Sequence, residues 1–341
     1  MIIDKKKKLY WQGPFLILLI IGTIHAIRTN RSTPFQKDEG AIFGTFFHAT
    51  YECDSSLRNE IMSELEAVDR SLSMFNPQSV ISRINRNEEI RPDTLFTEVF
   101  LLAKDISRQT NGAFDITVAP LVNAWGFGFK NDLLPDSATI DSLLPFIGFH
   151  NVNLVDNHIQ KKDPRTILDC SAVAKGFGSD LVARLFRRKG IKNYMIEIGG
   201  EIVVAGTNPS QKCWSVGINK PTEDSTGLNN DLQTILKITD KAIATSGNYR
   251  NFYYKEGKRY AHTINPHTGY PVQLSILSAT VIAPDCATAD AYATAFMVLG
   301  LDDSRKVLDK HPELQAYFIY TDAEGCLHTY ISPSLEKMLQ K

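Results

Sequence analysis

Cysteine is scarce in this chain and carries no pattern. Cys53, Cys170, Cys213, Cys286 and Cys326 are scattered over 341 residues without a C-x-x-C pair, which excludes a thiolate zinc site and a disulfide-rich scaffold. One disulfide is permitted outside the cytoplasm, and the spacing does not say which. Net charge is nearly absent too: 37 Lys+Arg face 38 Asp+Glu, leaving −1, so nucleic acid is not expected as a partner. The common phosphate cradles are missing. There is no G-x-x-x-x-G-K-[ST], and Gly126-Phe127-Gly128 and Gly176-Phe177-Gly178 lack the third glycine of a dinucleotide fingerprint. H-E-x-x-H and G-x-S-x-G are also missing. There is neither an internal repeat nor a low-complexity tract.

What is present is an ordinary globular composition, 43% hydrophobic and 22% charged, long enough for two average domains or one large one. The near-zero charge hides an asymmetry. Residues 1–31 hold six basic side chains (Lys5 to Lys8, Arg28, Arg31) against Asp4, a net +5, so the remainder carries −6. Four lysines followed by an apolar run from Leu9 to Ile27 form the pattern of a signal peptide or signal anchor. That run is just long enough to span a bilayer about 30 Å thick, although Gln12 and His25 weaken it. The lysines should remain cytoplasmic, sending the rest outside. Residues 1–30 are therefore expected to be a membrane address, residues 31–40 a polar linker and residues 41–341 the functional domain. Ala26 closes a mediocre cleavage site, and cleavage stays open.

Periodicity predicts amphipathic helices over 57–73, from Thr94 to about Gly112, over 175–188, over 285–299 with Gly300 as its stop, and over 302–310. Strands are expected at 194–205, 214–218, 232–239 and 276–283, with a hairpin pairing 315–320 and 327–331. Residues 222–231 read as a polar loop. Strands and helices mix without a βαβ alternation, which predicts an α+β fold.

Short Gly/Asp/Thr-rich segments are the candidates for chemistry. Asp290 and Thr294 stand four apart on a helix, so a carboxylate and a hydroxyl share one face. They read either as oxygen ligands for Mg²⁺ or as a first-turn acid beside a packed threonine. Asp169 ends a strand and Lys175 sits where a helix begins, an arrangement suited to a phosphate or to a plain capped helix start. His262, in the turn-rich run His262-Thr263-Ile264-Asn265-Pro266-His267-Thr268-Gly269-Tyr270-Pro271, is a base, a ligand or a structural imidazole. Thr245-Ser246-Gly247 and Gly112-Ala113-Phe114-Asp115 are further turns open to backbone approach by a ligand.

Taken in order, these segments resemble the ApbE family of FAD:protein FMN transferases. The resemblance runs from about Phe43 to Gly300 and into the final hairpin, through Gly112 to Asp115, Trp125 to Gly128, Asp169 to Gly176, Gly199-Gly200, Thr245 to Gly247, His262 to Pro271 and Ala289 to Ala295. It implies an α+β, T-fold-related architecture of mixed, mainly antiparallel sheets with packed helices. It also implies Mg²⁺-dependent transfer of FMN from FAD to a Thr or Ser hydroxyl of an acceptor protein, with AMP released. Such acceptors belong to sodium-pumping or electron-transfer membrane complexes, and the work is done on the periplasmic side of the bacterial inner membrane.

By matching, the Ala172 carbonyl, Asp290 and Thr294 are implied as Mg²⁺ ligands. Asp169, Lys175, the Ala113-Phe114-Asp115 backbone and Ile264 are implied as FAD contacts, with Phe43 and Phe75 against the flavin. His262 is implied either to deprotonate the acceptor or to position FAD. Two departures stand out: Phe75 replaces a common Tyr, and Phe43-Gly44-Thr45 replaces Met-Gly-Thr. Each keeps an apolar wall. The alternatives are an FAD pyrophosphatase using water and a flavin carrier that releases no AMP.

Overall fold

The computed structural model describes residues 13–21, 23, 33–128, 134–221, 231–248, 252–255, 258–273, 275–322 and 324–339. Two hairpin strands, β1 (Phe35–Ile42) and β2 (Thr45–Glu52), lead into helices α1 (Arg58–Leu72), α2 (Val80–Asn85), α3 (Thr94–Gln109), α4 (Ala119–Ala124) and α5 (Ser137–Leu143). A small hairpin, β3 (Val152–Val155) and β4 (His158–Lys161), precedes α6 (Ser171–Arg188). Strands β5 (Tyr194–Ile198), β6 (Glu201–Ala205), β7 (Trp214–Asn219), β8 (Leu232–Ile238), β9 (Lys241–Gly247), β10 (Phe252–Lys255), β11 (Lys258–Ala261) and β12 (Ile276–Ala283) follow. The chain closes with α7 (Cys286–Lys310), β13 (Gln315–Thr321), β14 (Leu327–Ile331) and α8 (Pro333–Leu339).

The centre is an eight-stranded sheet in the order β1-β2-β5-β6-β9-β12-β13-β14, antiparallel at every step. Alternation decides which residue meets which layer. Ala242, Ala244, Ala279, Val281 and Phe318 face the buried sides of α3, α6 and α7. Their neighbours Ile243, Ile282 and Ile319 face the opposite layer, where Trp214, Val216 and Leu236 of the β7–β8 hairpin and Leu335 of α8 cover them. Small residues on both sides let α7 lie close to the sheet: Ala287, Ala289, Ala291, Ala293 and Ala295 are all essentially inaccessible. The α+β expectation is met, with a mainly antiparallel sheet and packed helices.

Several boundaries differ from the sequence expectation. Residues 35–40 are not linker but most of β1, paired along its whole length with β2. Its polar sequence suits an edge strand with half its side chains in water, and Asp38 fastens it to the Tyr51 hydroxyl and, at 2.8 Å, to Ser56. The single strand expected over 194–205 is two, because Gly199 (φ 61) and Gly200 (φ 108) turn the chain between β5 and β6. Gly300 does interrupt the last long helix, with φ 74 and ψ −179 inside α7.

The expected anchor falls mainly outside the described residues. Residues 13–21 are helical, with Phe15 to Ile21 exposed. Among the described residues, no helix is long and apolar enough to cross a membrane. The polar loop at 222–230 also lies outside them. Among the described residues all five cysteines are free.

Candidate active site

Antiparallel pairing gathers several sequence segments at one end of the sheet. The β1–β2 turn Phe43-Gly44, the β5–β6 turn Gly199-Gly200, the last residues of β9 (Thr245-Ser246-Gly247) and the first of β12 all emerge there. Gly199 N–H donates to the Phe46 carbonyl at 3.1 Å, locking the first two turns together. Phe43 takes a left-handed backbone (φ 50). A methyl group on Gly178 would stand 3.0 Å from its ring, so the phenyl ring lies against α6.

Helices α6 and α7 cross directly at this end. A methyl group on Gly176 would fall 2.4 Å from the Cys286 carbonyl oxygen and 2.9 Å from Asp290 Cβ, so only glycine permits the approach. In return the Gly176 N–H donates to Asp290 Oδ2 at 3.1 Å. In a regular helix that N–H serves the carbonyl four residues back, which is Ala172. Asp180, also on α6, accepts from the Cys286 and Ala287 N–H groups at 2.9 Å, and Asp285 caps α7 through Thr288 N–H at 2.9 Å. The start of α7 is thus fastened twice before Asp290 is reached. One turn on, the hydroxyls of Thr294 and Ser246 are hydrogen-bonded at 3.1 Å.

Lys175 extends to Glu201, the first residue of β6, forming an ion pair at 2.5 Å. The Glu201 side chain is 3% accessible, and its second oxygen, Oε2, has no hydrogen-bond partner among the described residues. Burial, and then the nearby Asp290 charge, push the Glu201 carboxyl up to about 8, against the pull of Lys175. Burial also raises Asp290, opposed by Lys175 and the Gly176 N–H. Burial alone would lower Lys175, but Asp290 and Glu201 together carry it above its ordinary value. Were both carboxyls ionised beside the one ammonium, the cluster would hold an excess negative charge, which a proton on Glu201 or a bound cation relieves. The donors on hand are oxygens: the Asp290 carboxylate, the Thr294 hydroxyl and the Ala172 carbonyl. That set suits a small hard cation. Among the described residues no group of three His, Cys, Asp or Glu side chains could hold a metal, so an ion here would need the hydroxyl and carbonyl oxygens beside Asp290.

The other expected site residues each have partners of their own. Asp169 caps the α6 entry, accepting from Ser171 N–H at 2.8 Å and its hydroxyl at 2.5 Å. Phe114 is core, and Asp115 is held internally by Thr117 N–H (2.8 Å), its hydroxyl (2.7 Å) and Phe149 N–H (2.6 Å). Their side chains are committed, so the 113–115 stretch can meet a ligand only through its backbone. Ala113 packs with Val272 and Val298, linking α7 to the 262–272 loop. Ile264 is buried with Leu121, Trp125 and Ile140 and bridges to Pro271. His262 is half-buried, its ring edge-on to Phe127 at 6.4 Å. His267 Nε2 lies 2.7 Å from the Asn111 carbonyl, tying this loop to the end of α3. Phe75 stands 73% exposed on the turn after α1.

Glu201 and Asp180 had not been singled out from sequence, and Ser246 had been marked only as part of the Thr245-Ser246-Gly247 turn, not as the partner of Thr294. The one signal for Glu201 was its place directly after Gly199-Gly200. Asp180 had none.

The ApbE family model matches residues 43–318, a span that contains every one of these groups. An FAD:protein FMN transferase of Klebsiella pneumoniae is 35% identical over 315 residues, 88% of this chain and 88% of its own length. One from Vibrio cholerae is 35% identical over 313 residues, 89% of this chain and 92% of its own. The solved flavin transferase ApbE from Vibrio cholerae superposes with a TM-score of 0.81 at 33% identity, covering 90% of this chain and all of that one. Relatedness over this much of both chains, in sequence and in fold, makes this protein a member of the ApbE family.

Proposed function

We propose that this enzyme transfers the FMN moiety of FAD to a Thr or Ser hydroxyl of an acceptor protein and releases AMP, using Mg²⁺. The observation that carries the reading is the convergence of Asp290, Thr294, Lys175 and Glu201 in one cluster, with two acids to one ammonium, beside the first turn of α6. Asp290, Thr294 and the Ala172 carbonyl would hold the cation. Bound there, Mg²⁺ supplies neutralisation of the FAD pyrophosphate and of the departing AMP.

The chain's own groups do the rest. The Lys175 ammonium faces a pyrophosphate oxygen, and the 113–115 backbone, Asp169 and Ile264 position the dinucleotide. Phe43 offers an apolar face to the flavin, with Phe75 across the mouth. A ring nitrogen of His262 takes the proton from the acceptor hydroxyl. That oxygen then forms a bond to the FMN phosphorus as the bond to the AMP oxygen breaks. The nucleophile belongs to the acceptor, which is why no activated Ser or Cys is needed here.

The basic, apolar amino terminus supports a location at the bacterial inner membrane, with the catalytic domain on the periplasmic side. Subunits of sodium-pumping or electron-transfer complexes are the acceptors we propose. The test is incubation with FAD, Mg²⁺ and an acceptor fragment, read as a covalent FMN mass increment on Thr or Ser. Free FMN and AMP appearing without acceptor, and no adduct with it, would instead make the protein a pyrophosphatase.

A further inference from the structure

Among the described residues Glu201 is a buried acid with an oxygen that lacks a hydrogen-bond partner. A carboxylate 3% accessible with one oxygen unpartnered is costly to keep. A single ion pair does not account for it, because Lys175 reaches only Oε1. Its placement is nevertheless enforced. The Gly199-Gly200 turn sets Glu201 at the head of β6, the Ser179 hydroxyl donates to its carbonyl at 3.0 Å, and a methyl group on Gly199 would crowd Thr45 at 2.9 Å. The charges of Glu201, Lys175 and Asp290 all act on one another.

We propose that Glu201 is a positioning residue of the cation site, supplying with Asp290 the charge that attracts a divalent cation, while the Lys175 ammonium is the standing counter-ion of the cation-free protein. This rests on the metal reading above but assigns residues beyond the three oxygen ligands. Like charges brought together in a buried place raise the affinity for a cation, and a resident ammonium lowers it. Glu201 and Lys175 therefore act on cation binding with opposite signs, a behaviour that a purely structural ion pair does not produce.

The experiment titrates Mn²⁺ into the full chain without FAD, and again with FAD, following the free ion by electron paramagnetic resonance. Melting temperatures without metal check that each variant is folded. Glu201→Gln keeps the shape and removes the charge; it should weaken Mn²⁺ at least ~10-fold, in line with loss of a supporting group around a metal. Lys175→Met should tighten it, or, should that variant fail to fold, the Glu201→Gln result decides alone. Asp290→Asn should abolish binding. Glu201→Gln affinity within twofold of the parent, with Asp290→Asn binding abolished, overturns the proposal and leaves the metal reading intact. Weaker Mn²⁺ binding in a folded Lys175→Met titrated without FAD also overturns it. A parent protein that binds no Mn²⁺ even with FAD removes the metal reading itself, and the proposal with it.

Discussion

Gly176 and Asp290, 114 residues apart, are joined by a 3.1 Å hydrogen bond from a backbone N–H to a buried carboxylate. The bond exists because α6 and α7 touch where Gly176 has no side chain. Gly176→Ala would set a methyl group 2.4 Å from the Cys286 carbonyl, and backbone cannot swing aside as a flexible side chain could. We expect a stability loss of about 1–3 kcal/mol, read from denaturant midpoints. FMN transfer should fall further than stability does, because Asp290 moves with α7.

Asp290→Asn separates chemistry from folding. It removes a buried negative charge while Lys175 keeps its pair with Glu201, so the melting temperature without metal should hold or rise. Transfer to an acceptor should drop at least ~100-fold. Unchanged transfer in this variant would remove Asp290 from the metal set.

Thr294 depends on Ser246 for its orientation. Ser246→Ala should cost about 1 kcal/mol of stability and roughly 10-fold in transfer rate at limiting Mg²⁺. Excess Mg²⁺ should recover part of the rate, and Ser246→Thr, which restores the hydroxyl, should recover most of it. A rate loss unaffected by Mg²⁺ would point to a packing role alone.

Asp180 makes stability pH-dependent. Burial raises its carboxyl to about 7, against the help of the Cys286 and Ala287 N–H groups. A raised folded-state value means that the native protein holds a proton the unfolded chain releases at about pH 4. This contribution is therefore full below pH 4 and is lost as pH rises from about 4 to about 7. Asp180→Asn stays neutral throughout. Relative to the parent, the variant should gain up to about 4 kcal/mol between pH 4 and 8, measured as the change in unfolding free energy difference. A difference that stays constant across this range would refute the assignment.

Much of the scaffold was legible because its causes are local. The break at Gly300 follows from a backbone angle that only glycine adopts easily, and Ile61, Leu65, Val68 and Leu72 mark the buried stripe of α1. Misreadings arose where the tertiary partner decides. FQKDEG looks like linker because an edge strand needs only one neighbour, and β2 supplies it. Residues 194–205 looked like one strand because Gly199-Gly200 reads equally as flexible chain or as a tight turn.

For the site the division is sharper. The spacing of Asp290 and Thr294 on one helix face, and the ordered set of motifs, are properties of the chain alone; the motif set sufficed to name the family. That Glu201 shares its burial with Lys175 and Asp290 was decided only when β6, α6 and α7 packed together. Helical faces and turns depend on neighbours a few residues away. The strength of a charge depends on how much water the whole fold has removed from around it.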